Sequence, residues 1–167
     1  MTGGPAMDLA AVAEVERLKY RYLRSLDTKS WIELSDTLMP DATAVYGEHL
    51  SFESRDAFLG FLENTLGNRM VTEHQCSHPE IEISADGTSA TGVWLLADTI
   101  MVPEDGMVLR GSAHYFDRYV LGDDGKWRIA HTGYERNWET VTFLTDLPNF
   151  RLTTNRWAML SNQPRAS

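Results

Sequence analysis

Residues 81–137 read IEISADGTSATGVWLLADTIMVPEDGMVLRGSAHYFDRYVLGDDGKWRIAHTGYERN. Three Asp-Gly pairs punctuate this stretch: Asp86-Gly87, Asp105-Gly106 and Asp124-Gly125. Such a pair suits a tight hairpin turn, because glycine takes positive φ at no steric cost. Between the pairs lie Ala90–Val102, Met107–Val120 and Lys126–Asn137, with Ile81-Glu82-Ile83-Ser84 ahead of them. Each alternates apolar and polar residues, the period of a strand with one covered face. The spacing predicts an antiparallel meander.

Upstream the period changes. From Asp8, the residues Leu9, Val12, Val15, Leu18, Tyr22 and Leu26 recur at helical intervals, with Glu14, Glu16, Arg17 and Arg21 off the stripe. This helix should end near Asp27. Ser30-Trp31-Ile32-Glu33 has the form of a capping box and opens a short second helix, with Trp31, Leu34 and Leu38 inward and Pro40-Asp41 as its stop. Ala42–Tyr46 and His49–Phe52 form a short hairpin. A third helix starts at Ser54, turns Phe58, Phe61 and Leu62 inward, and ends at Gly67. Helices first and a curved antiparallel sheet afterwards give an α+β domain whose helices cover one face. Residues 1–7 are expected to be a flexible tail and residues 8–146 the domain. Residues 147–167, with Trp157 and Leu160, would be a helix or arm packing on the domain or on a neighbouring subunit.

The bulk composition narrows the function. With 15 Lys+Arg against 24 Asp+Glu, the net charge is −9, which repels phosphate backbones and anionic lipid. Neither nucleic acid nor a membrane is an expected partner, and no apolar run has the roughly 20 residues needed to span a bilayer. Cys76 is the only cysteine, so there is no internal disulfide and no cysteine-based metal cluster. Met1–Met7 lacks the basic and apolar regions of a signal peptide, which makes the cytoplasm the expected compartment.

Four polar residues sit where the pattern calls for apolar ones. Tyr22 lies on the inner stripe of the first helix, and Asp27 at its end beside Leu26 and Trp31. Asp98 shares a strand face with Gly92, Trp94, Leu96 and Ile100, and an acid there must be paired or put to use. His74 sits just ahead of the second sheet strand. Each also has a structural reading: Tyr22 as a core tyrosine, Asp27 as a cap for the helix near Thr28 or Ser30, Asp98 turned outward by a one-residue slip, and His74 as a structural histidine. As metal ligands, His74 and His78 fail on distance. Pro79 biases His78 toward an extended backbone, which would set the two side chains about 13 Å apart. No metal and no cofactor is expected, and the chain has no glycine-rich phosphate loop. His49 and His131 read as surface residues, and His114 as lining either a pocket or an interface.

Five motifs belong together: Leu18-Lys19-Tyr20-Arg21-Tyr22-Leu23-Arg24-Ser25-Leu26-Asp27, His74 with Ser77-His78-Pro79-Glu80-Ile81, Ala90-Thr91-Gly92-Val93-Trp94, Tyr115-Phe116-Asp117-Arg118-Tyr119, and Gly125-Lys126-Trp127-Arg128-Ile129. Together they resemble the SnoaL-like branch of the nuclear-transport-factor-2-like superfamily. The likeness covers about residues 8–140 and implies a cone-shaped, cystatin-like roll. Within the superfamily the chain is most similar to the bile acid 7α-dehydratase type, and also to the scytalone dehydratase and hexachlorocyclohexane dehydrochlorinase types. That resemblance implies a site of Tyr22, Asp27, His74 and Asp98. It also implies a homo-oligomer, trimer or dimer. Ser77-His78, His114 and Met101–Val108 depart from the dehydratase pattern, which leaves the substrate open.

These residue types suit removal of water from a β-hydroxy carbonyl compound. His74 would be the general base, because an imidazole titrates near neutral pH. Asp27 would orient its ring, Tyr22 would donate to the carbonyl oxygen, and Asp98 would hold a hydroxyl or tune a neighbour. Trp31, Tyr46, Phe61, Trp94 and Leu96, together with His114, are the expected pocket for a hydrophobic steroid-like or polyketide-like substrate. A cofactor-independent lyase is the leading expectation. An isomerase or polyketide cyclase using the same pair, or a non-catalytic binding module, are the alternatives.

Overall fold

The computed structural model describes residues 8–47 and 49–157. The expected tail, residues 1–7, and Leu160 lie outside them, as does the rest of the chain beyond Trp157. Helix α1 (Leu9–Asp27) is followed by α2 (Trp31–Asp36), the hairpin β1 (Leu38–Tyr46) and β2 (Leu50–Phe52), and α3 (Arg55–Thr65). Four long strands then form the meander: β3 (Val71–Ile83), β4 (Ser89–Val102), β5 (Met107–Leu121) and β6 (Trp127–Phe143). Gly87, Gly106 and Gly125 all take positive φ, of 70°, 60° and 73°, as the Asp-Gly turns require. Among the described residues, no helix is long and apolar enough to cross a membrane.

The sheet order is β2-β1-β6-β5-β4-β3. The meander is antiparallel as expected, but β1 pairs with β6 in parallel, so the sheet is mixed. The free edge of β6 would expose unpaired backbone groups, and the first hairpin covers it. Bulges where the register shifts, near Ser77–Glu80 and at two places between β5 and β6, bend the strands into the wall of a cone.

The bulge in β3 explains why that strand is longer than the sequence pattern suggests. Thr72, His74 and Cys76 face inward ahead of it, whereas Ile81 and Ile83 face inward after it. His78, with φ of 50°, supplies the extra residue that reverses the phase. A period-two scan therefore finds only the second half, and His74 lies within the strand rather than before it.

Two other expectations are corrected near α2. Ser30 accepts no capping hydrogen bond; its Oγ contacts Thr28 Oγ1 at 3.1 Å, and Glu33 pairs with Arg24 instead. The helix ends at Asp36, so Leu38 is a strand residue. Pro40 lies inside β1 where its register against β6 shifts, a place that tolerates the missing N–H. On α1, Leu9 is exposed and the buried stripe begins at Val15.

Helices α1 and α3 cover the inner face of the sheet. Leu18, Leu23, Leu26, Phe58, Trp94 and Leu96 are core residues. Within this core is a charged network. Lys19 Nζ lies 2.7 Å from Asp117 Oδ2, and neither side chain has any exposed surface. The contact is ionic rather than a well-directed hydrogen bond. Tyr119 donates to the same carboxylate oxygen at 2.7 Å, Thr132 donates to Asp117 Oδ1 at 2.8 Å, and Trp94 Nε1 donates to Tyr119 at 2.9 Å. The ammonium also sits 3.4 Å from the centre of the Tyr115 ring. Gly92 leaves room for the indole and phenol, since a Cβ there would come within 3.0 Å of both.

Removing one member of such a pair strands the other charge. Lys19→Met should lower unfolding free energy in urea titration by about 3–5 kcal/mol. Lys19→Met with Asp117→Asn should cost less than the single change. A loss below about 1 kcal/mol for Lys19→Met would show the network to be energetically idle.

Candidate active site

Helix α1 closes in a Schellman turn: Lys29 N–H donates to Leu26 O at 3.2 Å and Ser30 N–H to Ser25 O at 2.9 Å. The turn satisfies the helix end without help from Asp27, whose carboxylate reaches across to β3 and does not cap α2. Asp27 Oδ2 accepts the His74 backbone N–H at 2.8 Å, while Oδ1 lies 2.7 Å from His74 Nδ1 and accepts from Thr72 Oγ1 at 2.8 Å. Gripping both backbone and ring fixes the imidazole as a rigid lever. An ionised carboxylate only accepts, so Nδ1 carries the hydrogen and the Nε2 lone pair is left free. Among the described residues, Nε2 has no hydrogen-bond partner.

The ring lines a cavity of about 180 Å³ inside the cone. Leu26, Phe61, Leu62, Leu66, Leu96 and Ile100 form its apolar wall, and Tyr46, Tyr115, Tyr134, Asp98 and Arg136 its polar one. A trough of about 600 Å³ also runs along the outer sheet face past Val45, Phe116 and His131. Although larger, it is lined by neither Asp27 nor His74, and it shares only Tyr134 and Arg136 with the inner cavity.

Asp98 faces inward beside His74, its direct partner across β3 and β4. Both its oxygens are taken by Arg136, at 2.6 Å and 2.8 Å. The fork–fork geometry explains how an acid that is 6% exposed is tolerated among apolar neighbours. Arg136 also contacts Glu139 at 3.1 Å, so its charge is compensated twice. Gly111 makes the space: a Cβ there would lie 2.5 Å from Arg136 Nη1.

The remaining expected site residues divide between wall and core. Tyr46, Phe61 and Leu96 line the cavity. Tyr22 does not; it is fully buried behind Tyr46, with the two hydroxyls 3.0 Å apart. Trp94 belongs to the core network, and Trp31 packs half-buried against the core without reaching the cavity. His114 faces outward, 3.1 Å from Asn137 Oδ1, because inward residues of β5 are the odd-numbered ones. His78 is exposed on its bulge beside Ser77, His131 contacts Thr43, and His49 is exposed. Among the described residues there is no cluster of three or more His, Cys, Asp or Glu side chains able to hold a metal ion.

Thr72, Tyr115, Tyr134 and Arg136 were missed from sequence. Thr72 and Tyr115 share the inward alternation of His74 and Tyr119, a usable signal. Arg136 carries none, because the bulge beside Asn137 disturbs the phase of β6.

A mixed sheet rolled into a cone, with helices across its inner face, is the nuclear-transport-factor-2-like architecture. The SnoaL-like domain model matches residues 7–133, and the chain belongs to that family. Its fold resembles that of a protein from Novosphingobium aromaticivorans provisionally assigned as a scytalone dehydratase (22% identity, 80% of this chain and 88% of that one, TM-score 0.73). It is similar also to the hexachlorocyclohexane dehydrochlorinase LinA-type3 of Novosphingobium barchaimii (18%, 80% and 91%, 0.71). ActVI-ORFA of Streptomyces coelicolor shares the fold as well (17%, 77% and 98%, 0.65). At these identities the likeness is one of fold.

Burial raises the phenols of Tyr22, Tyr46, Tyr115 and Tyr119 and pushes the Cys76 thiol up to about 11. In the unfolded chain the thiol ionises near 9 and the phenols near 10, so above those values the folded state binds more protons. The stability these groups contribute is complete below pH 9 and is lost as pH rises. Lys29, lowered to about 8 by burial against the pull of Asp27, acts in the opposite sense between 8 and 10.5, so the net fall begins only where the phenols join the thiol near pH 10. Melting temperatures recorded from pH 8 to 12 should therefore fall steeply above about pH 10, where each phenol contributes up to about 1.4 kcal/mol per pH unit. A flat profile to pH 11.5 would contradict the burial of these hydroxyls.

Proposed function

We propose that this SnoaL-like protein is a lyase that removes water from a hydrophobic hydroxy-carbonyl compound. One observation carries the reading: a histidine ring held by a carboxylate at Nδ1 lines an apolar cavity whose polar wall also offers un-ionised phenols. His74 Nε2 takes the proton α to the carbonyl, and the C–H electrons pass into an enolate. A phenol of the wall, Tyr46 or Tyr115, donates a hydrogen bond to the enolate oxygen without adding charge, the part assigned from sequence to Tyr22. The enolate then collapses to a C=C bond as the β C–O bond breaks, and the proton on His74 leaves with the hydroxyl as water. Asp27 stabilises the transient imidazolium. Asp98, already held by Arg136, positions the hydroxyl through the lone pairs left to it.

The cavity favours a compact reacting group. Its volume of about 180 Å³ is little larger than the roughly 150 Å³ of an apolar cavity that takes up benzene. It encloses one substituted ring, and further rings of a larger skeleton would lie at the mouth beside Leu50 and Leu66. Arg136 is doubly paired, which favours an uncharged ring over a carboxylate or phosphate. An isomerase or a cyclase would begin with the same proton abstraction.

A panel of β-hydroxy ketones of one to four rings, followed by conjugated-enone absorbance and by mass loss of one water, tests this reading. Turnover is expected, and His74→Ala and Asp27→Asn should each reduce it by at least about 100-fold. Rearranged product of unchanged mass would make the protein an isomerase or cyclase. Turnover that survives both substitutions would remove the dyad from the chemistry.

A further inference from the structure

Lys29 occupies the left-handed position of the turn that closes α1, with φ of 56°. Glycine is the usual residue there, because a side chain in this conformation crowds the backbone. Strain retained at one residue points to a use for its side chain. The Lys29 side chain is turned inward, leaving the residue 9% exposed, and Nζ lies 2.8 Å from Thr72 Oγ1. An ammonium has hydrogens to give and no lone pair to receive one. The Thr72 oxygen must therefore accept from Lys29, and its single hydrogen is left for Asp27 Oδ1, 2.8 Å away.

We propose that Lys29 is a positioning residue for the Asp27–His74 pair, acting through the Thr72 hydroxyl. Lys29 gives a hydrogen to Thr72 and Thr72 gives one to Asp27, where they meet the hydrogens that His74 gives to the same carboxylate. This arrangement supplies Asp27 Oδ1 with a second donor beside His74 Nδ1–H and pins the carboxylate at the height of the ring. Burial lowers the ammonium only to about 8, so it remains a cation at neutral pH. Lys29 does not line the cavity, so its influence falls on the orientation of His74 and not on binding. The catalytic consequence rests on the reading of His74 as a base; the orienting role does not.

The test reads the His74 Nδ1–H proton directly, by the exchange rate of its downfield proton resonance, and needs no substrate. In Lys29→Met and in Lys29→Gly, which relieves the left-handed backbone, exchange should quicken about five- to tenfold, the factor set by one ordinary hydrogen bond. Thr72→Val should do the same, Thr72→Ser should keep the wild-type rate, and Lys29→Met with Thr72→Val should be no worse than Thr72→Val alone. Wild-type exchange in both Lys29 variants, or additive losses in the double variant, would overturn the proposal. The predicted exchange pattern in a protein that turns over none of the hydroxy ketones would support Lys29 as the orienting residue and count against the lyase reading only.

Discussion

An ammonium and a carboxylate with no exposed surface, 2.7 Å apart between α1 and β5, fix where everything else can lie. A cation without water is costly, and α1 can neutralise it only where Asp117 waits. The helix is thereby set along the inner face of the sheet at one depth. Tyr119, Trp94 and Thr132 complete the carboxylate's shell and extend the constraint into β4 and β6. Two turns beyond Lys19 the same helix ends, and its last residue arrives opposite His74. The site is the far end of a beam whose other support is the ion pair.

The meander was legible because its turns need glycine at positive φ and its faces alternate. The helices were legible for the same kind of reason, a stripe at their own period. What escaped the sequence reading was governed by contacts distant in the chain. The reversal of phase at His78 hid half of β3, and no local pattern announces a one-residue bulge. Nor does a local pattern show that β1 will seal the open edge of β6 in parallel.

The site was half legible. Asp27, His74 and Asp98 stood out as polar residues on apolar faces, and all three are inward. Tyr22 stood out by the same rule, and Trp94 was expected in the pocket, but both serve the core, because a buried phenol or indole needs only one hydrogen-bond partner to be at rest. Periodicity says that a side chain points inward; it does not say whether space or another side chain meets it there. Lys19 and Arg136 show the converse failure: nothing in the sequence pattern singled them out, yet each meets a buried carboxylate.

The proposed chemistry turns on one atom, His74 Nε2, whose lone pair is free only if the ring hydrogen sits on Nδ1 beside Asp27. Nitrogen-15 NMR of the imidazole ring reads this directly, since protonated and unprotonated ring nitrogens resonate far apart. In the neutral ring, Nδ1 is predicted to carry the hydrogen and Nε2 the lone pair. A ring that is mainly Nε2–H, or an even mixture of the two tautomers, would contradict the account.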